Sequence, residues 1–296
     1  TWVMPAEWQP HERTWMAWME EDYSKESTPE STVEMHRAWA SVANAIINFE
    51  PVSMLVSLEH EAEARAYLDP RVELVIAAID DGWMRDSGPT FVKNGDAVAA
   101  VDWVFNGWGS QGGWANWGKD DAVASFIADQ AGVPSFRSKL VNEGGGIHVN
   151  GAGALLVTET VQLGEERNPG WSRAEVEAEL NARLGTNQVV WLRRGLTRDY
   201  EDFGTKGHVD IVACFADETT ILFHDQQDES HPDFAVSHEV KRTLEETTNF
   251  KLVGVPAPKQ LRDEHGFVDY SYINHYICNG AVILCGFDDE NDQVAK

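Results

Sequence analysis

The sequence predicts an α/β fold in one domain, and three observations carry that reading: helical and strand patterns alternate along the whole chain, apolar residues are plentiful, and no linker interrupts them. With 296 residues and 43% hydrophobic content the chain can bury a sizeable core. Twelve tryptophans run from Trp2 to Trp191, and no stretch is rich in serine, proline or glutamine.

Four helices are expected. From Ser31 to Phe49, Met35, Trp39, Val42, Ile46 and Phe49 recur three and four residues apart, which places them on one helical face behind a Ser/Thr cap. Lys119 to Ala131 opens on Asp120 and Asp121, stops at Gly132 and turns Val123, Phe126 and Ile127 inward. In the third, Ser172 and Glu175 form a capping box, Val176, Leu180 and Leu184 make the apolar stripe, and Gly185 sits where a C-terminal cap belongs. The fourth covers Phe234 to Thr247 with Val236, Val240 and Leu244.

Between them lie β-rich runs: Val52 to Leu58, Val72 to Ile76, Ala97 to Phe105, Ala154 to Val161, Val209 to Phe215, Thr220 to Phe223 and Ala281 to Phe287. Several end in polar residues at similar places, which suggests a repeated ββαβ-like module. The final stretch, Asp288 to Lys296, reads as the acidic first turn of a helix, so the last module is expected to be incomplete within a single domain spanning residues 1–296.

Composition narrows the function. A formal charge of -26, with no basic cluster, repels phosphate backbones and disfavours a nucleic-acid partner. No apolar run reaches the roughly 18 residues of a membrane span, and Thr1 to Pro10 has no signal-like pattern, so a cytoplasmic protein without a membrane partner is expected. Cys214, Cys278 and Cys285 form neither a disulfide framework nor a zinc knuckle. The negative charge favours encounter with a cationic small molecule, but an acidic surface selected for solubility or a salty cytoplasm is the more ordinary explanation.

Four segments hold carboxylates or histidine beside glycines or aromatics: Asp80 to Pro89, Asn142 to His148, Gly207 to Asp210, and Asn106 to Gly109. If they converge, they make a pocket of acids, one imidazole and tryptophan faces, suited to a flat cation and unsuited to phosphate. Singly, each has an ordinary explanation. Asp86 before Ser87-Gly88-Pro89 could form a turn, and Gly144 to Gly146 lacks the pattern of a nucleotide loop. His208 and Asp210, two apart on an expected strand, share a face and could be metal ligands, an acid/base pair or a core pair. His148 opens no metal pattern with them.

Together the segments resemble the agmatine deiminase family, kin to bacterial peptidylarginine deiminases within the guanidine-modifying superfamily. The likeness runs through Met4-Pro5-Ala6-Glu7-Trp8, His11 to Trp18, Trp83-Met84-Arg85-Asp86 with Gly88 to Val92, Trp103 to Gly109 and Gly207 to Asp210, and on to Asn274-His275-Tyr276 and Asn279-Gly280. The resemblance implies a five-fold pseudosymmetric α/β propeller, the pentein fold, around a central pocket. It implies Glu143 and His208 as catalytic residues, Asp86 and Asp210 as grips on the guanidinium, and Trp83 and Trp108 as stacking partners. It also implies a cysteine nucleophile in a glycine-rich segment that does not occur in this sequence, so Cys278 and Cys285 are expected to be ordinary buried thiols. Asn142, where the family usually has an apolar residue, and Asn150, where an aspartate is common, depart from its pattern, either altering the pocket edge or neutral. No metal or organic cofactor is implied, the expected substrate is agmatine, and the oligomeric state stays open, a homo-oligomer included. An arginine or peptidylarginine deiminase, and a non-catalytic guanidine-binding propeller, are the alternatives.

Overall fold

One structural unit occurs three times in the computed structural model, which describes residues 1–20, 27–111 and 116–296. An antiparallel hairpin is followed by a helix and by a strand that pairs in parallel with the hairpin's second strand. The first unit uses Thr90–Asn94, Ala97–Val104, helix Val123–Gln130 and Ser135–Val141. The second uses His148–Val149, Ala154–Thr158, helix Arg173–Leu184 and Gln188–Leu192. The third uses Ala213–Asp217, Thr220–Asp225, helix Asp233–Thr247 and Lys251–Pro256. A parallel pair needs such a crossover, and the helix covers the sheet face that the pair creates.

The amino-terminal sheet differs. Thr14–Ala17, Val52–Val56 and Glu73–Ile76 are all parallel, connected by helices Pro29–Ile46 and Glu61–Tyr67. The hairpin His275–Cys278 with Ala281–Leu284 packs onto this unit, bringing Tyr276, Cys278 and Ile283 against Met54, Val56 and Ala40. This is the α/β architecture expected from the sequence, with the ββαβ unit recurring three times among the described residues.

Helix Arg173–Leu184 follows its local code closely. Ser172 accepts from the Glu175 amide while Glu175 accepts from the Ser172 amide at 2.8 Å, and Gly185 closes the helix at φ 68°. Val176, Leu180 and Leu184 are fully buried against Leu140, Leu155 and Val157. Burial of each such side chain is worth about 1.5–3 kcal/mol. Helix Pro29–Ile46 instead starts at Thr28, and its buried face is His36, Ala40, Ala43 and Ile46. Of the expected stripe, Ile46 is buried, Met35, Trp39 and Val42 are half-buried along the cavity with Trp39 and Val42 also packed against the core, and Phe49 is 47% exposed beyond the helix. A cavity offers apolar side chains a second place to turn, which periodicity alone does not distinguish from the core.

Other boundaries move too. The stretch Val209 to Phe215, expected as a strand, begins with a 3-10 turn, Val209–Ile211, and only Ala213–Asp217 is extended. The run Ala154 to Val161 likewise leaves the sheet at Thr158 and turns into Glu159–Gln162. Strands such as Ser135–Val141 and Lys251–Pro256 were not expected, because their alternation is broken by Lys139, Gly254 and Pro256. No helix among the described residues is long and apolar enough to cross a membrane.

Candidate active site

Apart from Trp108, which lies within the first unit, the expected site residues are on the connections between units. Asp86 is on the one-turn helix Met84–Ser87, between the amino-terminal sheet and the first ββαβ unit. Glu143 follows strand Ser135–Val141, just before the turn Gly144–Gly146 that leads to the second unit. His208 and Asp210 flank the start of the turn Val209–Ile211 that leads to the third. Equivalent connections of repeated units end at the same side of the molecule, and here they meet at a wide central cavity of about 2960 Å³.

Gly145 shows how closely they meet. Its amide donates to Asp86 Oδ1 at 3.0 Å. A Cβ at this position would collide with His208 Nδ1 and lie 2.8 Å from Asp210 Oδ2 and 2.9 Å from Asp86 Oδ1. Three side chains from two distant connections therefore converge over one Cα that carries no side chain. The glycine run is packing, not a phosphate loop, and His208 with Asp210 reaches the site from a turn and not from a strand.

His208 is 2% exposed and lies among carboxylates. Its Nε2 is 3.3 Å from Glu143 Oε2, and its Nδ1 is 3.8 Å from Asp86 Oδ1. Burial works against the imidazolium, but the Asp86 charge, the Glu143 hydrogen bond and the Asp210 charge outweigh it and push the imidazole up to about 9. Burial would likewise raise Glu143, yet the Arg167 guanidinium and His208 hold its carboxyl at about 2. Arg167 Nε donates to both Glu143 oxygens, at 2.9 and 3.1 Å. Asp210 is pushed up to about 7, chiefly by burial, with His208 opposing and Asp86 adding to the rise.

Asp199 fixes the approach to His208. Its Oδ2 accepts from the amides of Gly207 and His208 at 2.7 and 3.2 Å and from Thr205 Oγ1 at 2.6 Å. Trp108 fixes Asp86: its indole N–H donates to Asp86 Oδ2 at 3.0 Å, with its backbone in the left-handed region at φ 54°. Trp108 is 5% exposed and packs edge-on against Phe105. Trp83 is 47% exposed at the cavity and stands edge-on to Trp39, ring centroids 5.0 Å apart. Arg85 and Glu7 form an ion pair at 2.7 Å, also lining the cavity. Glu7 is held at about 2, burial being overcome by the charges of Arg85 and His148.

His148 does not join the His208 cluster. It is buried against Phe215, its Nδ1 accepts the Phe215 amide at 3.2 Å, and burial lowers it to about 4. No group of three histidine, cysteine or carboxylate side chains among the described residues is arranged to hold a metal ion. Asn142 is buried, its Oδ1 accepting from Gln162 Nε2 at 2.7 Å, and Asn150 Oδ1 caps the turn at Ala152 and Ala154. Asn150 also donates through Nδ2 to the Glu218 carbonyl at 2.9 Å, so both asparagines tie structural segments together.

The cysteines need one correction. Cys278 is buried as expected, but Cys285 is exposed, because strand Ala281–Leu284 ends before it and leaves it at the cavity wall. Cys214 also lines the cavity, and burial pushes its thiol up to about 12. None of the three has a thiol shifted downward toward the thiolate that nucleophilic attack requires.

Sequence reasoning missed Arg167 and Asp199. Each is one of several charged residues in its stretch, Arg167 behind Glu165 and Glu166 and Asp199 beside Arg198, Glu201 and Asp202, and only burial singles it out. Glu7 and Arg85 were inside the recognised segments without being singled out.

The sequence matches the Porphyromonas-type peptidyl-arginine deiminase family over residues 3–296. A protein of Streptomyces avermitilis named "Putative agmatine deiminase" is 53% identical, the match covering 99% of this chain and 86% of that protein. The agmatine deiminase of Stutzerimonas stutzeri is 36% identical, with 99% and 85% covered. Among solved structures, the agmatine deiminase of Enterococcus faecalis superposes with a TM-score of 0.89 at 30% identity, covering 99% of this chain and 86% of that one. The fold and site thus define a deiminase-type α/β protein. The chain belongs to the agmatine deiminase family.

Proposed function

We propose that this protein is an agmatine deiminase, a hydrolase that converts agmatine to N-carbamoylputrescine and ammonia, and that residues 1–296 form one domain that supplies its cation-binding and proton-transferring residues. The observation that carries the reading is the convergence of Asp86, Asp210 and His208 over Gly145, beside a buried Glu143. The relatives named as agmatine deiminases support the same substrate.

A guanidinium stays protonated at neutral pH, with a pKa above about 12, so its carbon resists attack unless its charge is held and its leaving group protonated. Asp86 and Asp210 supply the carboxylates that grip the guanidinium nitrogens, and Asp86 is already aimed by Gly145 and Trp108. His208, protonated through neutral pH, donates a proton to the departing ammonia and then accepts one from the attacking water, while Glu143 holds the ring. The family chemistry passes through a thiouronium formed by a cysteine thiolate, and we assign that role to none of Cys214, Cys278 and Cys285. Trp83 offers an exposed ring face to the cation or its methylene tail. Putrescine supply in the cytoplasm is the physiological setting that this reaction suggests.

Calorimetric titration with agmatine, arginine and an arginine peptide, followed by ammonia and ureido assays on the same sample, tests the reading. Agmatine should bind best and release ammonia. Agmatine binding without ammonia release makes the protein a guanidine-binding propeller, and preference for the peptide or for arginine replaces the substrate.

A further inference from the structure

Arg167 is a buried guanidinium of the site, and its place is specific. It is 4% exposed and sits between two connections that otherwise belong to different units. Its Nε donates to both oxygens of Glu143, and its Nη2 donates to the Thr205 carbonyl at 2.6 Å. Thr205 is part of the His208 approach, since its Oγ1 accepts the His208 amide at 3.1 Å. Asn168, next in sequence, ties the same loop to the end of strand Ser135–Val141 by pairing with the Val141 amide and carbonyl, each at 3.0 Å. One side chain thus spans the loop that carries the carboxylate and the loop that carries the imidazole.

Three carboxylates surround His208: Asp86, Glu143 and Asp210. A ring so placed is easily protonated and hard to deprotonate, yet a residue that first donates and then accepts a proton must do both. We propose that Arg167 is a positioning residue that acts on His208 through Glu143: it neutralises the carboxylate, so that Glu143 orients the imidazole without locking it in its protonated form. The inference rests on the proposed deiminase reading only for the purpose of the proton. Its electrostatic content stands on the geometry, because a positive charge bonded to the ring's own acceptor opposes a second positive charge on that ring.

The sign follows. Replacing Arg167 by a neutral side chain removes that opposition, so the proton affinity of His208 rises. The shift expected for losing a charge at this range is about 1–3 pH units upward, a tenfold or larger gain in proton affinity.

The test is a ¹⁵N NMR titration of the His208 ring in the full chain, without substrate, comparing wild type with Arg167→Gln and Arg167→Lys. Glutamine keeps a donor for Glu143 and loses the charge; lysine keeps the charge. The expected result is an upward shift in Arg167→Gln and a titration near wild type in Arg167→Lys. An unchanged or downward shift in Arg167→Gln overturns the proposal and leaves Arg167 a structural tie. Should orphaning Glu143 prevent folding, Glu143→Gln and the double variant Glu143→Gln with Arg167→Met are compared instead, since removing both partners costs less than removing one. His208 should then titrate higher in the double variant, and equal titration overturns the proposal. The ring is read with no guanidine present, so failure here leaves the assignment to agmatine standing, and failure of agmatine to bind leaves this result standing.

Discussion

The two sides of the central cavity are built on opposite plans. On one, Glu143, His208, Arg167 and Asp199 are at most 5% exposed, and their polar atoms are bonded to one another or to the backbone that carries them. On the other, the Asp210 carboxylate has no hydrogen bond to a fixed donor among the described residues and is held by its charged neighbours, and Trp83 and Arg85 are exposed. Asp86 stands between, anchored by Gly145 and Trp108. The proton-handling side is finished in advance, whereas the cation-holding side is left for a ligand to complete. A preorganised side of this kind needs no rearrangement at the moment of reaction.

Breaking the finished side should cost most. His208→Ala is expected to lower ammonia release from agmatine by roughly a hundredfold to ten-thousandfold while the circular dichroism spectrum is kept. Near-normal rates would remove His208 from the chemistry. Asp86→Asn, at the boundary, should weaken agmatine binding by roughly tenfold to a hundredfold in calorimetry, because a charge-assisted bond is lost. It should also lower the His208 titration, the opposite of the Arg167→Gln shift.

The open side should respond to pH. With Asp210 raised to about 7, agmatine affinity should fall by up to roughly tenfold per unit as pH drops below about 7, and flatten above it. Affinity independent of pH between 5.5 and 8 would remove Asp210 from the grip. The buried pair makes a separate prediction about stability. His208 is raised from 6.5 to about 9 in the folded state, so its contribution is fully present below about 6.5 and is lost as pH rises through about 9. Melting curves should show a decline across that interval that His208→Ala lacks.

Two small effects sharpen the contrast. Ser172→Ala removes a helix cap far from the cavity and should cost about 0.5–2 kcal/mol in denaturation with unchanged agmatine affinity. Trp83→Ala should do the reverse, leaving stability alone and weakening binding by the about 0.5–1 kcal/mol of an exposed cation–π contact.

Local code settled part of this protein in advance. Helix Arg173–Leu184 could be read with its cap, stripe and stop, because each depends on residues within a turn of one another. The carboxylates, the imidazole and the tryptophans of the site were legible as short segments through family likeness, and the alternation of helix and strand indicated the α/β class. Tertiary structure alone decided the rest. It turned His36 and Ala43 of Pro29–Ile46 into the core beside Ile46, because a cavity competes with the core for apolar side chains. It exposed Cys285 and turned Val209–Ile211 out of the sheet. It also gave Arg167 a task that no spacing announces: 24 residues separate it from Glu143, and its meaning comes from being buried against that charge, a property of the packed molecule and of no local segment.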